Sequence, residues 1–249
     1  MPSFFVLQKE SEQSSIGVDM KDPALTQHPS ASVENYLKAI WEVAGSDPAS
    51  TNDVAGRLSV AAASVTNMFG RLREMGLVEY ERYRGATLTE TGRAKALRLV
   101  RRHRLIETFL LEHLGYSWEE VHDEAERLEH AVSDGFTERL AEFLGHPGRD
   151  PHGAPIPAVD GTLEPDDSRP LNVVEAGEQV LISRVVHRNA AALAYLGEHG
   201  LVPGRLLKVQ EVRDLDGVVT VEDEYGSSHS LGSFLASTIF VQAWSEEGE

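Results

Sequence analysis

Two imidazoles and several carboxylates are packed into the short stretch from Val121 to His130. On a helix turning about 100° per residue, His122, Glu126, Glu129 and His130 fall near 0°, 40°, −20° and 80°, so all four share one face. Crowding such groups on one surface is costly unless a cation pairs them, and a divalent metal ion does so. His103 and Glu107 repeat the i, i+4 arrangement one helix earlier and can face the first set across a helix pair. The chain has no cysteine, which excludes disulfides, thiolate zinc or iron-sulfur ligation and thiol catalysis. Any metal must then be held by imidazole, carboxylate, amide or backbone oxygen. The plain alternative is a solvated acidic helix, where His–Glu pairs four apart add only a few tenths of a kcal/mol. Six candidate ligands on consecutive helices weigh against it. A metalloenzyme or a metal buffer is the other alternative. There is no H-E-x-x-H, Glu126 and His130 are four rather than three apart, and no nucleophilic triad or phosphate-cradling glycine loop occurs, so catalysis is not expected.

The elements that must position these residues are legible in the apolar spacing. Val33, Leu37, Ile40, Trp41 and Ala44 mark a helix, stopped by the Gly45 to Pro48 segment. Thr51 opens a short helix with Val54 and Leu58, and Val65, Met68, Phe69, Leu72 and Met75 form the stripe of a third, closed by Gly76. Leu77 to Tyr83 alternates as a strand, Arg84-Gly85 turns, and Ala86 to Thr89 returns. That order predicts a winged helix-turn-helix, whose third helix enters the major groove and whose hairpin touches the phosphate backbone. Ser64, Thr66, Asn67 and Arg71 on the third helix, and Arg82 and Arg84 at the wing tip beside Tyr83, are the expected DNA contacts.

Thr89 starts a longer helix through Leu97, Leu105, Phe109 and Leu110 to Gly115. Ser117 and Glu120 form a capping box opening a helix to about Val132, and another runs from Ser133 to Leu144. A Pro-rich linker follows, then four short strands (Gln179 to Ile182, Leu206 to Val209, Val218 to Val221, Ile239 to Val241) around a helix from Ala190 to Gly200. The fold class is mainly α with a small β part: a disordered leader (1–30), a winged helix-turn-helix (31–104), a helical metal-binding and dimerisation unit (105–146), the linker (147–170) and an SH3-like barrel (171–245).

Charge agrees with one DNA-facing region. The whole chain carries −17, but from Ala31 to Arg104 there are 12 Lys and Arg against 8 Asp and Glu, about +4, leaving about −21 (−17 minus 4) elsewhere. No run approaches the roughly 18 apolar residues of a membrane span, and the expected location is cytoplasmic.

Several segments together resemble the diphtheria toxin repressor family of metal-dependent transcriptional regulators, and more closely its manganese-responsive branch. They are Glu34-Asn35-Tyr36-Leu37-Lys38, Ser64-Val65-Thr66, Tyr83 to Thr89, Arg102 to Glu107, His122 to Glu126, Glu129 to Asp134 and Asp150 to Pro157. The resemblance covers Val33 to about Val241 and makes the C-terminal unit FeoA-like. It implies a homodimer, joined through the middle helices, that grips a palindromic operator when metal is present and represses metal-uptake genes. It also implies one centre of His103, Glu107 and His122, and a regulatory centre of Asn35, Glu126, Glu129 and His130. Asn67 stands where the family reads a base, with Thr66 and Ala63 beside it. Iron-responsive members carry Met and Cys where this chain has Asn35 and Glu126; both are hard oxygen donors, which favours Mn²⁺ over Fe²⁺. Manganese-type members often carry Asp at the position of Asn35, so this chain has one charge fewer there. Iron-type relatives draw two more ligands from the C-terminal unit, where this chain has Asn189 and Ala192, with His187 nearby. The expected function is a Mn²⁺-activated repressor, with an iron-responsive regulator or a metalloenzyme as alternatives.

Overall fold

A computed structural model describes residues 30–44, 47–186, 190–213 and 215–244. The expected leader therefore lies outside the described residues apart from Ser30, as do His187 and Asn189. The head is built from α1 (Ala31–Val43), α2 (Thr51–Leu58), α3 (Ala62–Glu74) and the hairpin β1 (Val78–Glu81) to β2 (Gly85–Leu88). Ser50 caps α2 by accepting from the Asp53 N–H, and Ser59 ends it in the left-handed region at φ 54°. Val33, Leu37, Ile40, Val54, Val65, Phe69 and Leu72 close one core between the helices and the wing. Each such fully buried side chain contributes roughly 1.5–3 kcal/mol. Ala49 lies beside β2 as a third segment of the wing, exchanging backbone hydrogen bonds with Ala86 (2.9 and 3.0 Å).

One 25-residue helix, α4 (Glu90–Leu114), leaves the head and passes through the middle unit. Thr89 caps it and also donates to the Gly76 carbonyl (2.8 Å), fastening helix to head, while Gly115 at φ 72° ends it. The helix thus crosses the 104/105 division, and the two units share a rod. α5 (Val121–Leu128) and α6 (Asp134–Phe143) pack on its far half through Leu105, Ile106, Leu110, Val121, Ala125 and Leu140. The helix expected to reach Val132 stops at Leu128, because Arg102 captures the Glu129 carbonyl (2.8 Å) and Ser133 caps the next helix. Glu129 and His130 thus lie just past its end.

The C-terminal unit is a six-stranded antiparallel sheet in the order β3-β8-β4-β5-β6-β7, comprising β3 (Arg169–Pro170), β4 (Gln179–Val185), β5 (Leu206–Arg213), β6 (Val218–Asp223), β7 (Ser228–Leu231) and β8 (Ile239–Ala243). α7 (Ala190–Glu198) and α8 (Ser233–Thr238) complete it. The SH3-like unit is all-β in its sheet but does not close as a barrel among the described residues: β3 and β7 remain edges. The Pro-rich stretch does not hang free. Arg104 binds the Asp150 carboxylate (3.3 Å) and the Pro155 carbonyl, and Arg101 binds the Pro157 carbonyl (2.9 Å).

Candidate metal centres

α4 brings His103 and Glu107 to the interior, 5% and 2% exposed, against His122 on α5. Glu107 Oε1 lies 2.9 Å from His103 Nε2 and 2.9 Å from His122 Nδ1, and one donor atom from each of the three falls within 4.8 Å of the others. Burial resists ionisation of Glu107, yet the His103 charge and the hydrogen bonds from both imidazoles hold it well below the usual carboxylate range. Burial likewise opposes a charge on His122, but its bonds to Glu107 and Glu126 push it up to about 9. His103 is raised in the same way, against its own desolvation, by Glu107.

The sequence reading did not assign Asp150 or His152 as ligands, and the fold delivers both to the other side of Glu107. Glu107, Asp150 and His152 form a second group with donor atoms inside 4.8 Å, all buried. The quoted Asp150 to Pro157 segment contained the signal, but no spacing rule links it to α4. His152 Nε2 meets the Trp118 carbonyl at 3.0 Å. A carbonyl only accepts, so Nε2 carries a proton there, and the Nδ1 side of the ring points toward Glu107 Oε1 at 3.9 Å, too far for a hydrogen bond. One imidazole and two carboxylates gathered at that spacing make a nitrogen and oxygen donor set that fits a divalent cation. Burial and the Glu107 charge raise the Asp150 carboxyl.

The regulatory set is arranged differently. Asn35 and Glu126 line one polar cavity of about 290 Å³ with Lys38, Glu42 and Arg57, and neither is buried. Glu126 Oε1 sits 3.5 Å from His122 Nε2, and that hydrogen bond, with Lys38 adding, draws its carboxyl down to about 2. Glu129 is 1% exposed and engages His103 Nδ1 (2.5 Å) and Lys38 Nζ (2.9 and 3.1 Å). Burial would raise its carboxyl, but the His103 bond and the Lys38 charge hold it down. His130 uses Nδ1 on Glu34 (2.6 Å), leaving Nε2 3.6 Å from Glu129 Oε1. Glu34 and Lys38 were part of a quoted segment but had no assigned role. His103 touches both sets, so Glu126, His122, Glu107, His103, Glu129, His130 and Glu34 form one chain of contacts. Of the C-terminal positions, Ala192 is described and has no donor side chain.

On α3, Ser64, Thr66, Asn67 and Arg71 are all exposed, opposite the buried Val65, Phe69 and Leu72. At the wing tip Arg84 pairs with Glu81 (3.0 Å), and Arg82 stacks over Tyr83, whose ring is 91% exposed. Tyr83 holds φ 71°, a conformation a bulky residue adopts only under strain.

Comparison with known proteins agrees with this layout. Residues 28–86 match the family of the iron dependent repressor, N-terminal DNA binding domain; residues 89–158 match its metal binding and dimerisation domain; residues 169–243 match the FeoA domain. The iron-dependent repressor IdeR of Mycobacterium tuberculosis is 32% identical over 191 residues, covering 71% of this chain and 83% of that protein. A diphtheria toxin repressor of Corynebacterium efficiens is 35% identical over 163 residues, 63% of this chain and 70% of that protein. A solved manganese-dependent transcriptional repressor in complex with manganese superposes with a TM-score of 0.81 at 39% identity, covering 85% of this chain and 100% of that one. The chain belongs to the iron-dependent repressor family, that of the diphtheria toxin repressor, whose members are metal-dependent DNA-binding transcriptional repressors and not enzymes, and its structural likeness runs through the manganese-dependent ones.

Proposed function

We propose that the protein is a Mn²⁺-activated repressor that acts in the cytoplasm as a homodimer on a palindromic operator controlling metal uptake. One observation carries the reading: α1, the first helix of the DNA-binding head, is tied through Glu34 and Lys38 to His130 and Glu129 of the middle unit. The regulatory donors Asn35, Glu126, Glu129 and His130 thus straddle the joint between head and body, and His103, Glu107 and His122, with Asp150 and His152, form the buried second centre. A divalent ion supplies the positive charge that keeps these carboxylates together while the imidazoles are neutral. Glu34 orients the His130 ring from behind, as a carboxylate does for a ligating imidazole. A donor set without sulfur favours Mn²⁺ over softer ions.

Dimerisation is supported by an apolar face on the middle unit. Phe143 (63% exposed) packs its ring against His113 and Phe109 (4.8 and 6.0 Å), and Leu114 and Phe136 lie exposed on the same two helices. Two heads held in a fixed relation then place two α3 helices in successive major grooves, with Asn67, Thr66, Ser64 and Arg71 toward the bases and Arg82 and Arg84 toward phosphates. The test is operator binding by fluorescence anisotropy across Mn²⁺, Fe²⁺, Zn²⁺ and Co²⁺, for the wild type and for Glu129→Ala. Wild type responds most strongly to Mn²⁺, and the variant loses the response while keeping its helical spectrum. A Mn²⁺ response intact in Glu129→Ala defeats the reading.

A further inference from the structure

Lys38 is the least expected member of the network. A lysine on a helix reads as a solvated charge, yet this one is 5% exposed on the inner face of α1, one turn after Glu34. Its Nζ lies 2.9 and 3.1 Å from the two Glu129 oxygens, 3.1 Å from His103 Nδ1 and 4.0 Å from Glu126 Oε1. Both oxygens of the most buried regulatory carboxylate are therefore already faced by a fixed positive charge. An ion ligated by Glu129 has to share that carboxylate with the ammonium a few ångströms away, and like charges at such spacing repel even at a high effective dielectric. Burying an ammonium without a role is costly.

We propose that Lys38 determines the metal affinity of the regulatory centre: its ammonium is a resident counter-cation that pairs with Glu129 and weakens ion binding there, so that the head responds only above a set metal concentration. This rests on the regulatory centre proposed above. Lys38→Gln keeps the length and a hydrogen-bond donor and removes the charge; Lys38→Arg keeps the charge.

The experiment is a direct Mn²⁺ titration of the EDTA-stripped full chain, read by the electron paramagnetic resonance of free Mn²⁺, with thermal melts before and after loading. Lys38→Gln binds the regulatory ion on the order of ten- to a hundredfold more tightly than wild type. It also melts lower without metal and gains more on loading, whereas Lys38→Arg stays within about threefold of wild type. An unchanged or weaker affinity in Lys38→Gln overturns the proposal. So does a Lys38→Gln chain that stays unfolded at saturating Mn²⁺, since the ammonium is then a strut no ion replaces. His130→Ala separates the two claims: if it leaves wild-type Mn²⁺ binding intact, the regulatory centre itself is misassigned and the proposal falls with it, whereas loss of binding there with no gain in Lys38→Gln refutes only the role of Lys38.

Discussion

Glu107→Gln removes the charge on which the imidazoles close while leaving the volume of the side chain unchanged. Glu107 is 2% exposed and sits 2.9 Å from both His103 Nε2 and His122 Nδ1. Without metal those imidazoles provide the positive charge, which is why His122 is pushed up to about 9 and His103 is raised. A group raised in the folded state stabilises fully below its unfolded pKa, near 6.5 for His, and that contribution is lost as pH climbs through the folded value. For His122 the window runs from about 6.5 to about 9, and the shift is worth about 3 kcal/mol. Removing one member of a buried pair costs roughly 3–5 kcal/mol because its partner is left charged in a dry site. Urea melts of EDTA-treated protein at several pH values measure both effects. The wild type weakens from pH 6 to 9. The variant is less stable by about 3 kcal/mol at pH 6, and the gap narrows by pH 9 because the His122 shift has gone. Parallel pH curves, or a difference under about 1 kcal/mol at pH 6, refute the charge balance argued for this centre.

Two further predictions concern packing. Gly153 holds φ 86° where a Cβ would collide with the Ser183 carbonyl on β4, so Gly153→Ala lowers the melting temperature and speeds limited proteolysis between residues 158 and 168; wild-type resistance contradicts the tight docking of this turn. Phe143→Asp places a charge in the exposed apolar face and shifts sedimentation from dimer to monomer, weakening association by about 2 kcal/mol or more; an unaltered dimer assigns the interface elsewhere.

Periodicity made the head legible, since Val65, Phe69 and Leu72 face inward and thereby fix Ser64, Asn67 and Arg71 as outward. His103 with Glu107 was legible because the spacing of a helix forces them together. His122 was expected across the helix pair and is found there, but what loops deliver from farther along the chain was not legible. His152 reaches Glu107 from 45 positions away through a turn whose register is set by Asp150 bonding the His152 and Ala154 N–H groups (2.9 and 3.0 Å). Lys38 reads as solvated until Glu129 is seen beneath it. The place where α5 ends depends on Arg102, 27 residues before Glu129, so helix geometry alone overextended it. The open edge at β3 arises from Arg169 and Pro170 pairing with β8, although a proline reads as linker.

The uninterrupted α4 has a mechanical consequence. At 25 residues it is about 37 Å long, and His103 and Glu107 lie about 20 and 26 Å from the end that holds the wing and α3. A rotation of only about 5° at that pivot swings the reading surface by nearly 2 Å, more than the tolerance of a hydrogen bond to a base edge. In the metal-activated dimer proposed above, sub-ångström adjustments among the buried ligands would thereby be geared up into a movement large enough to decide whether two heads match one stretch of double helix.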